Sequence, residues 1–234
     1  MAGIAVLLLS ACSSDDEENS PIVDPVEETY QDPMFEDFEC YPQGTVWQEY
    51  DGYMEGYNPD FGIMYRFEVK GDTTIQGIDY KRVIAQLVQR DTIYNSNDRD
   101  AYIERDREES YTFAIREDKG RIYKWNAEYA KDALFYNFNW KEGLQHFVYN
   151  EVTDEYLTSE SSIYDVFGKV KMENGEVYDS YGGQIKTIGM IGWGGLFSSY
   201  PSGTLGIGIH RLFSFTRNGQ LLYLDRELIR LYQN

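Results

Sequence analysis

The chain has only two cysteines, Cys12 and Cys40, and only two histidines, His146 and His210. A disulfide framework and a zinc site built from Cys and His are both excluded by that scarcity. No Lys or Arg precedes Arg66, although 15 of the 40 acidic residues fall before it. Of the formal net charge of -19, -15 therefore belongs to the N-terminal quarter and the remainder of the chain carries about -4. Without a basic stripe to displace counterions, nucleic acid is not an expected partner. Attraction to anionic lipid headgroups is disfavoured for the same reason. The longest apolar run, Ala2 to Leu9, is too short to cross a hydrocarbon core of ~30 Å as a helix.

What is present is aromatic: 21 Tyr, 12 Phe and 4 Trp in 234 residues. Such rings suit a pleated, half-buried surface. From Tyr41 onward apolar and polar residues alternate, and Gly, Asn and Asp punctuate the chain. The fold expected is all-β, an antiparallel meander closing towards a barrel, with a two-sheet sandwich as the alternative and little helix. Residues 63–70 read as one strand, with Gly71-Asp72 as its turn and a return from Thr73 that Gln76-Gly77 breaks before Ile78 to Val88. Asp118-Lys119-Gly120, Asn174-Gly175 and Asn218-Gly219 mark hairpins, because type I′ turns need φ above zero at both central residues. Residues 128–134 suit one short helical turn. Residues 225–232 suit a short helix or a last strand. The polar stretch from Asn95 to Glu109 reads as an exposed loop.

The apolar run ends in Leu9-Ser10-Ala11-Cys12. Small residues before a cysteine at that place resemble the lipobox of bacterial lipoproteins. The resemblance implies cleavage before Cys12, diacylglycerol on its thiol and palmitate or a similar chain on its amine. The usual Lys or Arg n-region is missing, which leaves the true start open. Ser13-Ser14-Asp15-Asp16-Glu17-Glu18 resembles the Ser-then-acidic export signal of Bacteroidetes surface lipoproteins. It implies an outer-membrane anchor with the body facing the cell exterior. The expected organisation is a signal peptide over 1–11, an acidic disordered tether over 12–40 and one β-rich domain over 41–234.

Four segments occur in the order IREDKGRIY, ALFYNFNWKEG, IGMIGWGGLFSS and FSFTRNGQLLY. This order resembles an uncharacterised group of secreted proteins and lipoproteins from Bacteroidetes, over roughly residues 63–224. The resemblance bears on compartment and fold and implies no activity.

Motifs for chemistry are sparse. The segment Gly189 to Gly195 lacks the order and βαβ context of a dinucleotide fingerprint and the Lys-Ser/Thr end of a P-loop, and reads as tight packing around Trp193. Ser198, Ser199 and Ser202 lie in no nucleophile elbow, and His210 reads as a strand residue. Asn95, Asn97, Asp98 and Asp100 fail the calcium-loop pattern, since Arg99 holds a ligand position. Cys40 reads as a free buried thiol or an intermolecular link. No catalytic residue, metal ligand or cofactor is expected. The aromatics Trp47, Tyr50, Tyr53, Tyr57 and Trp193 are candidates for stacking on a ligand such as a sugar, or else fill the core. The expected role is a non-enzymatic binding or interaction module, held on the membrane through Cys12, with a glycan or envelope protein as partner. A structural subunit of an outer-membrane complex is the alternative, and a glycan-active hydrolase the third.

Overall fold

The computed structural model of the protein describes residues 30–55, 58–92, 102–105, 108–140, 147–150, 155–158, 167–181, 183–191, 196–197 and 208–232. It is nearly all β, with a large antiparallel sheet curled into a half-barrel and a second small sheet. The large sheet contains β1 (Val46–Glu55), β2 (Asn58–Ile75), β3 (Ile78–Thr92), β4 (Tyr102–Arg105), β5 (Ser110–Asp118), β6 (Arg121–Asn126), β7 (Lys131–Asn137), β14 (Gly208–Arg217) and β15 (Gln220–Leu224). Its order is β15-β14-β1-β2-β3-β5-β6-β7, with β4 also paired to β3. The meander is thus extended at its N-terminal side by the C-terminal hairpin, which lies beside β1. Two short strands, β8 (Phe147–Asn150) and β9 (Glu155–Thr158), pair separately. The small sheet is β10 (Phe167–Lys171), β11 (Val177–Tyr181), β12 (Gln184–Ile185) and β13 (Gly189–Met190), in that order.

Local chemistry explains most of the turns. Lys119 and Gly120 both take positive φ between the paired residues Asp118 and Arg121, as do Asn218 and Gly219 between Arg217 and Gln220. These are two-residue turns whose twist matches that of the strands. Asn174-Gly175 also joins a hairpin, but the pair Lys171 and Val177 leaves a longer loop in which only Gly175 has positive φ. Gly71-Asp72 does not turn the chain. Gly71 has a positive φ of 81° at a register shift between Val69 and Asp72, so it forms a bulge inside β2. The reversal comes at Gln76-Gly77, between the paired residues Ile75 and Ile78.

Three other expectations need correction. Residues 127–130 turn and lead straight into β7, without helix. Strand β4 lies inside the segment read as a loop. The packed body is present already at Tyr30, so residues 30–40 are not part of a disordered tether. Asp32 caps a 3-10 turn, Pro33–Glu36, by accepting from Met34 N at 3.0 Å. Phe35 and Cys40 are buried in the core. The acidic average of the segment conceals these apolar anchors. At the other end, α1 (Arg226–Tyr232) is a helix, capped by Asp225, which accepts from Glu227 N and Leu228 N.

The concave face of the large sheet is filled by rings. Phe197 sits among Tyr41, Trp47, Phe113, Phe135 and Tyr136 at centroid distances of 5.2 to 5.8 Å. The small sheet joins the same core through Tyr181, Ile185 and Ile188. Its β10–β11 loop also bonds the edge strand, Glu173 N donating to Leu222 O at 2.9 Å.

Gly120 tests this packing. A Cβ there would lie 2.5 Å from the Phe35 ring, on a backbone with φ of 81°. At Gly175 the φ is 87° but the space is open. Gly120→Ala should therefore cost about 2–4 kcal/mol, combining overpacking with backbone strain. Gly175→Ala should cost about 1 kcal/mol from strain alone. Denaturant midpoints of the two variants check the difference.

Candidate functional site

Strand alternation places Trp47, Glu49 and Asp51 on one side of β1, which lies between β2 and β14. Trp47 is fully buried and Glu49 is 5% exposed. A carboxylate cannot be taken from water at this depth unless donors surround it. Glu49 has three. Oε1 accepts from Trp47 Nε1 at 2.9 Å and from Leu196 N at 2.8 Å. Oε2 lies 2.8 Å from His210 Nε2. One side chain thereby joins β1, β14 and the Leu196–Phe197 segment.

His210 sits opposite Asp51 in the β1–β14 register, and its side chain is 22% exposed. Burial favours the neutral imidazole. The hydrogen bond to Glu49, its charge and that of Asp51 outweigh burial, and hold the proton to a pH above the ordinary imidazole value. A buried carboxylate orienting a partly exposed imidazole can hold or exchange a proton at the imidazole. The other polar bonds to the same segment are structural. Tyr136 Oη donates to Leu196 O, and Lys124 Nζ donates to Phe197 O at 3.0 Å. Full burial raises the Tyr136 phenol well above its usual range.

A second polar cluster holds the N-terminal strap, residues 30–41. Glu117 on β5 accepts from Cys40 N and Tyr41 N, both at 2.7 Å. Lys81 on β3 donates to Tyr41 O at 2.8 Å and to Glu117 at 3.0 Å, and pairs with Glu39. Arg217 donates to Cys40 O and to the Thr187 carbonyl, and its guanidinium lies over the Phe38 ring. Further along the strap, Asp32 pairs with Lys186, and Asn139 accepts from Asp32 N at 2.9 Å. A third cluster, on β3, β5 and β7, has Asp132 accepting from Tyr80 Oη at 2.6 Å and Arg116 Nε at 2.5 Å. Burial and the Asp132 bond push the Tyr80 phenol up to about 12.

The structure separates the candidate aromatics. Trp47 is fully buried and Tyr50 is 2% exposed, so neither offers a face to a ligand. Trp47 stacks on Phe67 at 5.3 Å, and the Tyr50 ring lies over Gly52, where a Cβ would collide with it. Their apolar area fills the sheet instead. Tyr53 lies on β1, paired with Phe61 and Gly208. Cys12, Tyr57, Trp193, His146, Asn95, Asn97, Asp98, Asp100, Ser198, Ser199 and Ser202 lie outside the described residues. Gly189 packs its backbone against the Tyr136 ring, a Cβ there lying 2.7 Å from it. Cys40 is a free, buried thiol, and burial together with Glu117 pushes its pKa well up. Sequence reasoning missed Glu49 and Glu117. The available signal was the alternation Trp47-x-Glu49, which puts an acid on the same side as a buried indole.

Among the described residues no group of three or more His, Cys, Asp or Glu could hold a metal ion. Among them, too, no helix is long and apolar enough to cross a membrane. The chain matches no family model, no curated protein and no solved structure.

Removing the carboxylate strands three donors in the core. Glu49→Ala should cost about 3–5 kcal/mol, as for breaking a buried ion pair. Glu49→Gln keeps an acceptor for Trp47 and Leu196 and should cost about 1–2 kcal/mol. Chemical denaturation at neutral pH measures both.

Proposed function

We propose that this chain is a lipid-anchored protein of the bacterial cell envelope whose β body is a binding or interaction module and not an enzyme. Cys12, fatty-acylated, holds it on the outer membrane, and the body faces the cell exterior. The observation that supports this most is the strap over residues 30–41. Chain ends near a terminus are poorly ordered unless something ties them down. Here the tie is charge-assisted at both ends, by Lys186 on Asp32 and by Glu117 and Lys81 around Cys40 and Tyr41. A body suspended from its N-terminal side passes any pull through this strap. Such bonds, about twice as strong as neutral ones, suit that place. Two or more acyl chains on one cysteine anchor firmly, at about 0.8 kcal/mol for each buried CH₂, where a single chain binds reversibly.

The partner is a glycan or another envelope protein. With Trp47 and Tyr50 in the core, the exposed rings of Tyr111 and Tyr129 support the glycan option. A ring at such a site stacks on the apolar face of a sugar, and Tyr111 already lies under Arg82 at 5.6 Å. Pull-down with the full chain against envelope glycans and envelope proteins tests the module. Retention of neither would overturn it.

The anchor has its own test. Cys12→Ser should move the protein from the membrane fraction to the soluble one, and labelled fatty acid should appear on wild type only. Protease added to intact cells should cut the wild-type body if it faces outward. Membrane fractionation of the variant, or an unmodified Cys12 in mature wild type, would overturn the assignment.

A further inference from the structure

We propose that His210 and Glu49 form a pH-sensitive latch, in which the protonated imidazole keeps the Leu196–Phe197 segment fastened to the sheet and loss of the proton loosens it. The inference does not depend on the anchor or on any ligand. Glu49 Oε1 is the acceptor for Leu196 N, while Oε2 of the same carboxylate faces His210. Whatever changes the charge balance at one oxygen is felt by the bond at the other.

The surrounding charges make that balance uneven. On β1, Glu49 and Asp51 both face His210. On β14, the neighbouring Arg211 is drawn away, towards Asp225 and Glu227. From β7, Tyr136 faces Glu49 as a neutral phenol. Leu196 and Phe197 bring no ionisable side chain. Among the described residues, the ion pair to Glu49 comes from His210. When the imidazole is charged, two carboxylates share one cation. When it is neutral, a buried carboxylate keeps only neutral donors and stands near a second acid. That state is the more costly of the two in a low-dielectric interior.

The segment is placed to report the change. Phe197 is the ring around which five others pack, so a weaker hold on Leu196 is transmitted to the centre of the core. The partial exposure of His210 gives its proton a route to water. The sign follows from linkage. The folded state binds the proton more tightly than the unfolded chain does. The stabilising contribution is complete below the ordinary imidazole value of 6.5 and is lost as pH rises through the higher folded value. The latch is therefore closed on the acidic side and relaxed on the alkaline side.

Two reporters lie inside it, the Leu196 amide and the Trp47 indole N–H, both donors to Glu49. The full chain with Cys12→Ser, which carries no lipid, would be followed by NMR from pH 5 to pH 9. Hydrogen exchange at Leu196 would be corrected for its intrinsic pH dependence. Leu196 protection should fall, and the Trp47 indole resonance should move, with one shared midpoint above 6.5. The fall in protection should be about tenfold for each unit by which the folded state raises the midpoint. His210→Gln, which keeps a polar side chain but cannot titrate, should abolish both changes. Asp51→Asn, which removes one facing charge and leaves the latch in place, should lower the midpoint. A flat wild-type profile, a titration that survives His210→Gln, or a midpoint unmoved by Asp51→Asn would each overturn the proposal. If His210→Gln does not fold, the Asp51→Asn shift decides alone.

Discussion

A sheet that curls only halfway encloses a concave apolar face that its own strands do not cover, and most of this structure is an answer to that geometry. The β7 and β15 ends of the large sheet do not pair with each other. The opening between them is met by pieces from elsewhere in the chain: the strap, the small sheet and the Leu196–Phe197 segment. Each contributes rings or aliphatic side chains to one continuous core. Aromatic residues serve this purpose well, since each buries a large area with few rotatable bonds. The high Tyr and Phe content is thus explained chiefly by filling.

Two of these pieces, the strap and the Leu196–Phe197 segment, lack the regular strand ladder, so their backbone groups need other partners. The interior supplies them through side chains. Glu49 takes the Leu196 amide, Glu117 takes two amides of the strap, and Arg217 takes carbonyls from the strap and from the turn at Thr187. Tyr41 and Tyr136 use their hydroxyls on Ile188 O and Leu196 O. Burying charges for this purpose is costly unless each is paired, and each of the three ionised residues has a counter-charge or a ring beside it: His210, Lys81 and the Phe38 face. The polar groups of the core therefore position irregular backbone.

The architecture was legible where local chemistry decides it. Lys119-Gly120 and Asn218-Gly219 require positive φ and produced hairpins where the alternation on either side demanded them. It was illegible where one residue type serves two purposes. Gly71 has the same conformational freedom in a bulge as in a turn, and nothing within residues 69–73 distinguishes the two. Residues 30–40 read as solvated because they continue an acidic run that holds no Lys or Arg, yet Phe35 and Cys40 are buried once Asn139, Lys186 and Glu117 come together from distant parts of the chain. The site was less legible still. For Trp47 and Tyr50 the sequence leaves both a ligand-facing ring and core filling open, because a strand's outer and inner sides are assigned only when its neighbours are known. Glu49 was one acid among 40 until burial singled it out.

The position of β1 in the sheet has a kinetic meaning. One of its neighbours, β2, follows it directly in the chain, but the other, β14, pairs Thr216 with Val46. A nascent chain can zip β1 to β5 early, yet β1 keeps a bare flank until the C-terminal hairpin emerges. Closing so long a loop is slow, and an unsealed strand flank invites pairing with other chains. The strand that seals the flank of β1 is thus made long after β1 itself, so the order of synthesis alone keeps the sheet incomplete until β14 is available.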